Sequence, residues 1–132
     1  MRIEDNLEIE ETLESEILFH LPNQPYSWGK MDCFTLASWV REYHNLKPFP
    51  DMGEVYTFYN YKTFNSHALV QLLEKHCVRK DNLEDFDLIL LRCAGVLNLG
   101  TYYESGAIFM NTFPTWRSIK HFASLIDSIW RY

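Results

Sequence analysis

Basic charge is in short supply in this chain: eighteen Asp and Glu residues face twelve Lys and Arg, a formal net charge of −6. A general nucleic-acid binder needs a basic face to displace counterions from phosphates, so this balance argues against that class. The three cysteines, Cys33, Cys77 and Cys93, are an odd number at spacings that match no zinc or disulfide framework. No phosphate loop, dinucleotide fingerprint or metal motif is present, so neither a cofactor nor a metal is expected. No run approaches the roughly 20 apolar residues of a membrane helix. The acidic start lacks the apolar stretch of a secretory signal, which points to reduced, cytosolic synthesis. Internal repeats and low-complexity segments are also missing.

What is present suits one compact domain over 1–132. Hydrophobic residues make up 47% of the chain and aromatics 16%, enough for a proper core. The acid excess is local, with Glu4, Asp5, Glu8, Glu10, Glu11, Glu14 and Glu16 crowding the start. Leu7, Ile9, Leu13, Ile17 and Leu18 between these acids predict an amphipathic helix over 7–20, ended by Pro22, with His20 at its C-terminus. Its acidic face reads as solvated surface, or more sharply as a docking face for a basic partner.

The most informative stretch is Pro25-Tyr26-Ser27-Trp28-Gly29-Lys30-Met31-Asp32-Cys33, which runs into Phe34-Thr35-Leu36-Ala37-Ser38-Trp39-Val40-Arg41. Gly29 permits a sharp bend or a close backbone approach behind Trp28. Asp32 is a good N-cap, and Cys33 then falls in the first turn of a helix to about Tyr43, where the dipole favours a thiolate and the adjacent Asp32 opposes it. His44 to Pro50 stop that helix. The aromatic segment 51–61 is too irregular to predict as regular structure; it suits packing over the core, or the lining of a groove or partner surface. Ser66 is expected to cap a third helix that ends near Cys77, itself read as a small hydrophobe.

Beyond Phe86 the period changes. Asp87 to Arg92 reads as a central strand, and Gly95–Tyr103 and Ala107–Thr112 flank a hairpin turn at Glu104-Ser105-Gly106, with Gly106 at a position permitting positive φ. An amphipathic piece over 118–126 and a closing strand over 128–132 complete the chain. The Asp85-Asp87 and Glu10-Glu11 pairs read as surface charge. Helices first and antiparallel strands after predict an α+β fold, N-terminal helices packed on a small antiparallel sheet: the acidic helix in 1–20, the turn and helix in 25–44, the sheet region in 86–132.

The wording aromatic-x-Trp-Gly-x-x-Asp-Cys before an apolar helix resembles the NlpC-type cell-wall cysteine peptidases, small papain-like domains. Trp28 to Phe34 resembles the form found among phage tail proteins. The resemblance is specific over about twenty residues. It implies a papain-like fold, Cys33 as nucleophile position, and Trp28, Gly29, Asp32 and Gly100 as motif support. The family's strand motif His-x-Gly-x-Tyr corresponds to Asn98-Leu99-Gly100-Thr101-Tyr102, with Asn111 as the further polar position on the return strand. Asn98 therefore stands where the family has its histidine, and an amide can neither take the thiol proton nor protonate a leaving amine. The remaining histidines, His20, His44, His67, His76 and His121, fall on predicted helices or their ends.

A buried structural Cys33 thus ranks above a nucleophile. The resemblance then implies a tail-tip or baseplate component in a phage virion, made in the host cytoplasm, whose partners are other tail proteins. The alternatives are an active peptidoglycan peptidase or amidase using Cys33, and an assembly chaperone absent from the finished particle.

Overall fold

The structure, a computed structural model, describes residues 15–50 and 52–132. Most of the helix expected over 7–20, and the Glu10-Glu11 pair, lie outside the described residues. The described end of that stretch is a 3₁₀ turn, Glu16–Phe19, capped by Ser15 and closed at His20.

Helix α1, Cys33–Tyr43, begins where the sequence places it. The Asp32 carboxylate accepts from the amides of Phe34 and Thr35, and Thr35 Oγ1 accepts from the Asp32 amide, a reciprocal capping box. Its end is equally defined. Asn45 sits at φ 59, its amide bonds the Glu42 carbonyl, and the Leu46 amide bonds that of Arg41, the double bond of a Schellman stop.

Where no regular structure was expected, Gly53–Phe58 forms a short helix, α2. Its residues are poor helix formers, and burial of Met52 and Val55 decides the matter. Helix α3, Ser66–His76, is capped by Asn65, whose side chain accepts the Ala68 amide; Ser66 is not the cap. The Ser66 hydroxyl instead accepts the Leu97 amide at 3.0 Å, tying α3 to the sheet.

The sheet has six strands: β1 Val78–Lys80, β2 Leu88–Cys93, β3 Val96–Tyr103, β4 Gly106–Met110, β5 Pro114–Ser118 and β6 Ile126–Arg131. Their order is β1-β6-β2-β3-β4-β5, every pair antiparallel. The fold is therefore α+β, as expected. The sequence reading missed β1 and β5, the two edges. Edge strands carry short or proline-bearing sequences because one side needs no ladder partner.

Leu88 to Leu91 in β2 are buried on both faces. Leu88 and Leu90 join Phe34, Ala37, Leu69 and Leu73 of the helices. Ile89 and Leu91 join Ala107 and Phe122 on the opposite face. That second face is covered by two 3₁₀ turns, Ile119–His121 and Ala123–Leu125, which replace the amphipathic piece expected there.

At the β3–β4 hairpin the residues with positive φ are Glu104 (47°) and Ser105 (59°). Gly106 serves another purpose: a Cβ there would overlap the Trp116 indole and lie 2.5 Å from the Arg117 carbonyl oxygen. Asp87 also departs from the surface reading. It is buried, 2.7 Å from the Lys80 ammonium, and accepts the Glu84 amide at 2.8 Å. Among the described residues no helix is long and apolar enough to cross a membrane.

Candidate functional site

The head of α1 is built by a tight reversal. Ser27 and Met31 exchange backbone bonds at 2.9 and 2.8 Å, and Gly29 takes φ +81 at the bend. This turns the Gly29 amide onto Asp32 Oδ2 at 2.8 Å, and the Tyr56 hydroxyl from α2 donates to the same oxygen at 2.8 Å. With the two cap amides on Oδ1, the fully buried Asp32 carboxylate holds four donors and, among the described residues, no cation. Trp28 is locked beside it: its ring meets Tyr56 edge-on at 5.1 Å, and its indole N–H donates to the Tyr59 carbonyl. Three of the four residues singled out in the sequence as motif support, Trp28, Gly29 and Asp32, thus form one unit, joined by Tyr56, which sequence reasoning did not single out; Gly100 lies apart from it, in β3.

Cys33 is only partly exposed and lines a cleft of about 590 Å³. Loss of hydration pushes its thiol far above the ordinary value, and the Asp32 charge pushes in the same direction. The amides of Cys33 and Phe34, at the positive end of the helix, pull the other way without prevailing. Tyr26, which lines the same cleft, is raised as well, first by burial and then by the Asp32 charge. Cys33 is therefore a neutral thiol. No side chain among the described residues makes a hydrogen bond to it.

Asn98, Asn111 and Cys33 do line one cleft. Strand alternation nevertheless divides them. Leu97 and Leu99 belong to the helix-side core against which Cys33 packs. Asn98 pairs with Leu91, whose side chain lies in the cluster on the opposite face. The Asn98 amide donates to the Val96 carbonyl of its own strand at 3.4 Å, and the Asn111 backbone amide to Phe113 at 3.2 Å. The β3–β4 ladder runs no further this way than Gly100 with Phe109, and β4 ends at Met110, so Asn111 lies just past the return strand, whereas the sequence reading places it on that strand. A Cβ at Gly100 would make ordinary van der Waals contact, 3.4 Å from Ile89 Cγ1, so nothing in the packing demands glycine there.

Two further groups line the cleft without having been singled out for it. Arg117 comes from β5, and His121 ends the first 3₁₀ turn after it. Both belong to the chain that covers the second face, and no spacing from Cys33 predicts that return. The described residues contain no grouping of His, Cys, Asp and Glu able to hold a metal ion.

Chemically, the arrangement offers an apolar, aromatic-rimmed cleft with a neutral thiol, amides, one guanidinium and one imidazole. Comparison of the chain with protein-family models, with curated proteins and with solved structures gives no match.

Proposed function

We propose that this protein is a structural or assembly component of a phage tail, at the tail tip or baseplate, built on a papain-like domain of NlpC type that no longer performs peptidase chemistry. The observation that carries the reading is the condition of Cys33. Its helix head is fully constructed, while its thiol is held neutral and has no imidazole bonded to it. A peptidase needs a thiolate and a positioned base, and the asparagine at the strand position supplies neither. The order of three helices before an antiparallel sheet is compatible with a papain-like domain. The wording from Trp28 to Phe34 supplies the link to tails.

Two assays test this reading. Purified particles of the encoding phage should contain the chain in stoichiometric amount, and purified peptidoglycan incubated with the protein should release no peptide. Particles without the chain would place it instead with assembly chaperones.

A second reading, an active peptidoglycan peptidase or amidase using Cys33, is favoured by one observation: His121 shares the cleft with Cys33. Peptide release that is lost in both Cys33→Ala and His121→Ala would establish it in place of the first.

A further inference from the structure

Among the described residues, no carboxylate lines the cleft apart from Asp32, whose oxygens already hold four donors. The cation there is Arg117. Among the described residues it is the one arginine with no carboxylate or aromatic partner. Arg41 and Arg79 lie over the rings of Tyr132 and Trp130, and Arg92 and Arg131 pair with Asp127 and Glu84. Asn98, Asn111 and His121 add hydrogen-bonding side chains on the same wall. Between them the lining is apolar, with Leu91, Phe109 and Phe122 among it, and Tyr26 and Tyr61 stand 44% and 61% exposed at the rim.

An unpaired guanidinium above an apolar cleft, in a chain of net charge −6, is complementary to one kind of ligand: a single anionic group carried on apolar material. We propose that the cleft docks an extended segment of a partner protein presenting one Asp or Glu side chain between large apolar side chains. The carboxylate meets Arg117 and the apolar side chains fill the space beside Phe109 and Phe122. At about 590 Å³ the cleft falls within the ordinary range of ligand sites. A polyanion fits less well, because the acidic remainder of the molecule repels it. The inference rests on the reading of the cleft as a binding site and not a catalytic one.

The test uses the full chain and a pool of blocked heptapeptides with Glu or Gln at the centre, flanked by Leu, Phe and Trp. The members that bind best are titrated one by one with a fluorescent label, and each is checked by mass spectrometry after incubation. A charge-assisted hydrogen bond should favour Glu over Gln by about tenfold or more. That preference should vanish in Arg117→Met, whose fold is checked by thermal melting. Equal affinity for Glu and Gln, no binder in the pool, or a preference that survives Arg117→Met would overturn the proposal. So would displacement of the Glu peptides by a single-stranded oligonucleotide at lower concentration. Cleavage of the bound peptide would instead overturn the non-catalytic reading of Cys33, and the Glu preference would still be measurable.

Discussion

The two walls of the cleft are built on opposite terms. On the helix wall, both oxygens of Asp32 are fully bonded, and Trp28, Gly29, Thr35 and Tyr56 lock around them. On the strand wall, Asn98, Asn111, Arg117 and His121 are exposed, and the polar side chains have few partners of their own. Bonds made internally rigidify a wall and withdraw its groups from ligands; open groups are free to meet one. The helix wall is therefore the more constrained of the two, and the strand wall carries the open polar groups that the proposed docking uses.

The hardest way to break that contrast is Asp32→Ala. It removes the cap and strands the Gly29 amide and the Tyr56 hydroxyl, so urea denaturation should show a loss on the order of 3 kcal/mol. A loss below about 1 kcal/mol, the range of an ordinary exposed cap, would show that the four bonds do not act together. Gly106→Ala comes next. The added methyl must displace the Trp116 ring or the β5 backbone, at a cost of about 1–3 kcal/mol, read from the same denaturation curves.

The thiols sharpen the comparison without a mutation. Cys93 is exposed, burial pushes Cys77 up to about 11, and Cys33 is pushed higher still, chiefly by burial. A raised thiol pKa lowers the thiolate fraction at any pH below it. Iodoacetamide followed by peptide mass spectrometry at pH 8 should thus label Cys93 first, Cys77 next and Cys33 last, with Cys33 gaining reactivity only in strong alkali. Fast Cys33 labelling near neutrality would mean an activated thiolate and would reopen the peptidase reading.

The smallest effect is expected from Asn98→His. The side chain is exposed and its strand neighbours Leu97 and Leu99, not Asn98, join the core beside Cys33. Stability should change by less than about 0.5 kcal/mol, as for an ordinary surface substitution. Cys33 labelling should not change. Accelerated labelling would show that the strand position still reaches the sulfur.

Legibility followed the range of the forces involved. The head and span of α1 were readable because a cap and an apolar stripe are local, and β2 because a strand buried on both faces is apolar throughout. Helix α2 was not readable, since six residues of weak propensity fold only where Met52 and Val55 find a core. Nor were the edges β1 and β5: three and five residues are too few for a period to stand out, and β5 opens on Pro114. At the hairpin, the turn was placed correctly and its glycine misread: Gly106 makes room for Trp116, a residue ten positions away that only β5 brings across. In the site, Cys33, Asp32 and Asn98 carried motif signals, whereas Arg117 and His121 carried none.

By itself, then, the sequence determined the α+β order, the capped helix with Cys33 in its first turn, and the histidine-free run of β3, because each depends on neighbours within a few residues. Tertiary structure alone decided the protonation of Cys33. Helix polarity favours a thiolate and Asp32 opposes it, and the balance is tipped by the hydration that packing removes. It alone also decided that Asn98 shares a face with Leu91 and not with Cys33, because facing depends on register across a sheet. The chain's return over the second face, which sets Arg117 and His121 at the cleft, is likewise a matter of long-range pairing that no local pattern encodes.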